Sequence, residues 1–192
     1  MRRGILVLIA VAGALLIVQV HGQIARGRTL REQERGARQV MEQILRAEET
    51  RRRASAADRA ACPYAYLGTL VQEGQVQGLS AVPSSRGRDR WQASGYVFQV
   101  QLLNALGRPF AMPPSDRSAE PTLGQRFDAW AWPADPEQDS LVLYFASSAG
   151  YLLQGDNGSI AGADAPTPTL DPLKELEREG ESNRWLVLTN IR

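Results

Sequence analysis

Apolar residues fill an almost unbroken run from Ile5 to Val18. They then thin to one side of a polar stretch, recurring at Leu30, Ala37, Val40, Met41, Ile44 and Ala47. That spacing follows the i, i+3, i+4, i+7 template of an amphipathic helix. Glu34–Arg38, Glu42–Arg46, Glu48–Arg52 and Glu49–Arg53 place an acid four residues before a base, the favourable orientation, worth a few tenths of a kcal/mol per pair. Gly22, Gly27 and Gly36 weaken such a helix by about 1 kcal/mol each without ending it. Pro63 does end it, because the residue before a proline is driven out of helical geometry. The pattern therefore predicts one long helix, apolar at its start and amphipathic afterwards, that stops by Ala61 or Cys62.

Beyond Pro63 the period changes. Tyr64–Leu79 reads as a brief helix followed by a loop, and Ala81–Gly95, rich in Pro, Ser and Gly, as a connection. Gly95–Asn104 alternates, with Tyr96, Phe98, Val100 and Leu102 on one face and Gln99 and Gln101 on the other, the mark of a half-buried strand. A proline-rich loop leads to two further strands, Arg126–Pro133 and Leu141–Ser147, with Gly150–Leu153 extending or pairing with the latter. Gly155–Ser159 is a tight turn, residues 162–169 a linker, Leu170–Glu181 a short acidic helix and Arg184–Ile191 a terminal strand. The expected fold class is α+β: a long N-terminal helix, membrane-embedded at its start, packed on a small antiparallel sheet of three to four strands. In domain terms, residues 1–22 are a transmembrane anchor or signal segment and 23–62 its amphipathic Arg/Glu-rich continuation. Residues 63–153 form a small antiparallel β domain, and 154–192 supply the linker, acidic helix and terminal strand.

Charge sharpens this division. Residues 1–60 carry 12 arginines, no lysine and 6 acids, while residues 61–192 carry 10 bases and 15 acids, so a net charge of +1 hides a basic leader and a mildly acidic remainder. The remainder lacks the basic surface that nucleic acid requires. Arg26, Arg28 and Arg31 lie close enough to the apolar run to meet anionic lipid head groups. Arg2 and Arg3 favour a cytoplasmic N-terminus, which places the bulk of the chain outside. The expectation is a single-pass protein of a bacterial inner membrane with a periplasmic domain, its partners being membrane lipid and other protein subunits, self-association included. A cleaved export signal, cut before Gln23 after the small residues Val20 and Gly22, is the alternative.

The chemistry-bearing residues are few. One cysteine, Cys62, allows no intrachain disulfide, and the single histidine, His21, sits at the edge of the apolar run, away from any nucleophile. Zinc sites of the Cys/His kind are excluded by count, and neither a P-loop nor a strand-linked GxGxxG occurs. No catalytic, cofactor or metal residue is assigned, and no small-molecule substrate is evident. Three features remain. Trp130 and Trp132 share a strand face with Asp128 and pack under the helix or against a neighbouring strand, unless they offer a stacking platform or a protein contact. Asp156, Asn157 and Ser159 gather oxygens as a calcium loop does, but an EF-hand beginning at Asp156 finds Ala161 and Thr167 where Gly and Glu belong. Arg51–Arg53 read as a solvated face paired to the glutamates before it.

The order of elements resembles type IV pilins and the pseudopilins of type II secretion. The likeness rests on a short basic leader ending at Gly4, an apolar helix that continues into an amphipathic one, and an antiparallel sheet. It rests also on Glu49–Thr50–Arg51 near the end of the helix, the strand Gly95–Phe98, the strand Phe127–Pro133 and the segment Phe145–Gly150. It covers residues 1–153 and leaves 154–192 without a counterpart. Counted from a cut after Gly4, Ile9 stands where the resemblance implies a glutamate that neutralises the new N-terminus during filament assembly. The implied function is that of a membrane-anchored structural subunit of a secretion or pilus-type assembly, acting through protein–protein contacts and not an enzyme. An exported or tethered extracytoplasmic binding module without a filament role is the alternative, and a tethered enzyme using carboxylates a third.

Overall fold

The structure, a computed structural model, describes residues 2–55, 63–83, 89–104, 106–109, 125–137, 142–158, 160–169, 171–177 and 184–191, the side chains of 2–22 and of Glu177 excepted. Helix α1, Arg2–Ser55, is continuous over 54 residues, about 80 Å at 1.5 Å per residue. The expected stop at Ala61 or Cys62 lies outside the described residues. A short helix, α2 (Leu67–Gln72), follows the turn out of α1.

Seven strands then form one sheet: β1 (Ser80–Ala81), β2 (Arg90–Ala93), β3 (Tyr96–Leu103), β4 (Arg126–Pro133), β5 (Val142–Ser147), β6 (Tyr151–Asp156) and β7 (Trp185–Asn190). They lie in chain order, each antiparallel to the next. A last short helix, α3 (Pro172–Glu177), precedes β7. The expected sheet of three to four strands is thus corrected to seven. β1 and β2 have two and four residues, too few to show a period, and they sit in a stretch whose composition reads as a connection. A tight hairpin joins β2 to β3 at Ser94 and Gly95, both with positive φ (50° and 74°), as a two-residue turn matching the strand twist requires. β6 runs through Gly155 to Asp156, into residues that the composition assigns to a turn. β7 joins the same sheet through β6, with a bulge opposite Leu152 and Leu153.

The expected transmembrane segment is overturned as well. Among the described residues no helix is long and apolar enough to cross a membrane. The run Ile5–Val18 has 14 residues, about 21 Å of helix, against the roughly 20 residues needed for a hydrocarbon core about 30 Å thick. Charges begin again at Arg26. The transmembrane and single-pass readings, and the inner-membrane localisation built on them, lose their basis.

Two apolar clusters flank the sheet. On one face Ala37, Val40, Met41, Ile44, Leu45 and Ala47 of α1 meet Tyr96, Phe98, Phe127, Ala129, Ala131, Tyr144 and Ala146. α1 runs over β4, β5 and β6, and the alanines of β4 and β5 leave room for a helix to approach. On the other face Val97, Trp130, Trp132, Leu143, Phe145, Leu153 and Trp185 are covered by Ile160, Ala163, Ala165, Leu173 and Leu176. β3 is therefore buried on both faces, Gln99 included, where alternation alone suggests one wet face.

Candidate functional site

Only part of α1 is used by the domain. Burial begins at Ala37 and recurs through Glu48. At Gly36 the helix lies so close to the β2–β3 turn that a Cβ would collide with the Ser94 side chain. There the Tyr144 hydroxyl donates to the Glu34 carbonyl (3.1 Å). From Gln23 to Glu32 no described residue of the helix is buried, whereas Gln33 still lies against Gly95 of the β2–β3 turn. Ile24 is 51% exposed, Leu30 half-buried, and Arg26, Arg28, Arg31, Glu32 and Arg35 all face solvent. A shallow groove of about 330 Å³ runs past Gln23, Ile24, Gly27, Arg28 and Arg31. Its one aliphatic side chain, Ile24, is flanked by the cations of Arg28 and Arg31.

A second concavity, about 620 Å³, opens on the far face beside Asp128, Arg126, Trp130, Thr167, Asp171 and Lys174. Burial pushes the Asp128 carboxyl up to about 6; the Arg126 charge opposes that rise and Asp171 adds to it. Lys174 is committed to Asp171 at 2.9 Å. Asp128 takes up its proton only as pH falls to about 6, and the described walls offer it neither histidine nor a serine or cysteine nucleophile. Among the described residues no cluster of three or more His, Cys, Asp or Glu side chains is placed to hold a metal ion.

The sequence-derived candidates are dispersed. Trp130 and Trp132 do share a face with Asp128, but it is the face turned away from α1. Trp130 packs on Phe145 of the neighbouring strand (4.6 Å between centroids) and on Trp185 (6.4 Å), and with both tryptophans at most 1% exposed no platform is open to a ligand. Asp156 Oδ1 accepts from Gly158 N (3.0 Å), a local turn bond; Asn157 is buried beside it, and Ser159 lies outside the described residues. The side chain of His21 and all of Cys62 are likewise undescribed. Arg52 and Arg53 both pair with Glu49 (2.8 and 2.9 Å), whereas Arg51 reaches Glu73 beyond α2 (2.8 Å).

Three residues that composition and spacing do not single out organise the domain. Glu48, expected on the solvated face opposite Arg52, is fully buried, and both its oxygens accept from Ala65 N (3.1 and 3.3 Å). Burial raises its carboxyl to about 8, against the Ala65 hydrogen bond and the Arg51 charge. Arg90, 2% exposed, donates to Gln99 Oε1 (3.3 Å) and to the carbonyls of Ala163 and Ala165, and its guanidinium lies 5.1 Å from the centre of the Trp132 ring. Trp185 donates to Glu175 (2.8 Å). The one sequence signal available for Glu48 was its position in the buried row Met41, Ile44, Leu45 and Glu48, at helical spacing. No family model, curated protein or solved structure matches the chain.

Proposed function

We propose that the protein is a pilin- or pseudopilin-like structural subunit of a secretion or pilus-type assembly, acting through protein–protein contacts made by the free part of α1. The observation that carries this reading is that, along a 54-residue helix, burial against the sheet begins only at Ala37, with the described side chains from Gln23 to Glu32 exposed or half-buried. Contact with its own sheet occupies the stretch from Ala37 to Glu48, about three turns. The excess, with Ile24 exposed and Leu30 half-buried, is explained by helix-to-helix packing between subunits. The resemblance in the order of leader, helix and strands points the same way.

The test is photo-crosslinking from position 24 or 30 of the full chain in cells that produce it, beside the melting of the purified protein. Adducts to the helix of another subunit are expected, and Leu30→Arg should abolish them while the domain melts as the parent does. Failure of both positions to yield a protein adduct would overturn the reading.

A further inference from the structure

Near the end of α1 two polar groups, one helical turn apart, are each short of partners among the described residues, and their needs are complementary. Glu48 is fully buried, and its two oxygens share a single donor, Ala65 N (3.1 and 3.3 Å). A carboxylate has about four acceptor sites, so most of its capacity is unused. Arg51 donates through Nη1 to both oxygens of Glu73 (3.0 and 2.8 Å), but its Nε–H is buried and has no acceptor. Buried donors are nearly always bonded, so an idle one calls for a cause. Nε and Nη2 form the side edge of a guanidinium, an edge that takes a carboxylate in two parallel bonds. Glu73, held through Nη1, leaves that edge open. Residues three apart on a helix have Cβ atoms about 5–6 Å from one another, which places Glu48 beside the open edge.

We propose that the side edge of Arg51 is the docking position of the ionised Glu48 carboxylate, so that Arg51 holds Glu73 alone while Glu48 is protonated and bridges Glu48 and Glu73 once its proton has gone to solvent. The groups around Glu48 favour this taker. Arg51 attracts its charge and Glu73, just past α2, repels it. Tyr64, on the chain that follows α1, stays neutral because burial raises its phenol. Arg52 and Arg53 are both held by Glu49, and among the described residues no charged group of the sheet acts on Glu48. Burial holds the Glu48 carboxyl at about 8. Docking on Arg51 favours the ionised form, so the change falls at or below that value. Below it the end of α2 is tied to α1 by a half-exposed ion pair. Above it the same arginine is gripped from the buried side as well. The device is a clasp set by pH, at the opposite end of α1 from the contacts assigned to Ile24 and Leu30.

The full chain labelled with 13C and 15N reports both groups at once. The Glu48 Cδ shift follows its ionisation. The Arg51 Nε shift, detected through carbon so that proton exchange does not erase it, follows hydrogen bonding at the side edge. From about pH 5 to about pH 10 the two should move together with one midpoint, and in Glu48→Gln the Arg51 signal should stay still. Arg51→Lys keeps the charge and removes the edge. There Glu48 should titrate about one pH unit higher than in the parent, a tenfold change in proton affinity. A Glu48 carboxyl that titrates while the Arg51 Nε shift stays constant, one that does not titrate over this range, or an Arg51→Lys midpoint equal to the parent's would overturn the proposal.

Discussion

One face of the sheet is closed by a regular helix, the other by chain that is mostly irregular, and the side chains beneath them differ accordingly. Under α1, whose backbone groups bond within the helix, the cluster is aliphatic and aromatic, with Ile44, Met41 and Leu45 set against Phe98, Tyr96 and Ala146. Residues 160–169 have little such internal bonding, Ala165 N to the Gly162 carbonyl (3.2 Å) being one instance, and other buried carbonyls must be satisfied from elsewhere. The sheet supplies the partners: Arg90 donates to Ala163 and Ala165, Trp132 Nε1 donates to Gly162 (2.9 Å), and Gln99 accepts from the Thr167 hydroxyl (2.9 Å). The same rule holds where irregular chain reaches the helix face, since Ala65 N is bound by Glu48, and at the first turn of α2, where Gly68 N is bound by Asp89 (2.8 Å). A helical cover needs only shape; an irregular cover needs fixed polar anchors.

The largest effect follows from placing a charge under the helical cover. Ile44 is completely buried among apolar groups. Ile44→Arg forfeits about 1.5–3 kcal/mol of burial and strands a cation with no anchor built to receive it. A loss of about 4 kcal/mol or more is expected, enough to abolish the cooperative melt of the full chain by circular dichroism. If Ile44→Arg melts within a few degrees of the parent, the helix face is not the rigid apolar contact described.

The far face should fail differently. Arg90→Met keeps much of the volume but leaves the carbonyls of Ala163 and Ala165 without their donor, at about 1–3 kcal/mol per orphaned group. The expected loss is about 2–4 kcal/mol, and it should be local first. Amides of 160–169 should exchange faster and protease should cut there, while the α1 amides keep their protection. Uniform loss of protection on both faces would show that the two covers are not independent.

These differences also decide what could be read from the chain. β3, β4 and β5 were legible because eight-, eight- and six-residue strands show their period, and α1 because its stripe repeats over many turns. β1 and β2 were too short, and the turn-like residues of β6 hid its length. Gln99 looked like a wet position because alternation cannot reveal that a segment some 65 residues later folds over it. Arg90, in a connection rich in Gly and Ser, carried no local sign of burial, for its partners are carbonyls that any sequence has. Ile24 and Leu30 were legible as apolar positions on the helix ahead of the row that meets the sheet. The chemistry of the Asp128 cleft was not, because it depends on strand neighbours rather than on spacing.

The smallest effect tests the polar anchor that intrudes on the helix face. The Glu48 carboxyl is raised from 4.5 to about 8, chiefly by burial. The folded state thus holds a proton that the unfolded state releases, and stability must fall as pH rises from about 4.5 to about 8, then level off. Asp128 has the same sign, but between 3.8 and about 6, so the interval from pH 6 to pH 8 isolates Glu48 from it. Glu48→Gln keeps an acceptor for Ala65 N and removes the ionisation. The parent should lose about 1–2 kcal/mol of unfolding free energy between pH 6 and pH 8 that the variant retains, so that Glu48→Gln is the more stable protein at pH 8. Urea unfolding at the two pH values measures this directly. Parallel losses in both proteins would mean that Glu48 is already ionised in the fold, and that the anchor holding Ala65 is a carboxylate rather than a neutral acid.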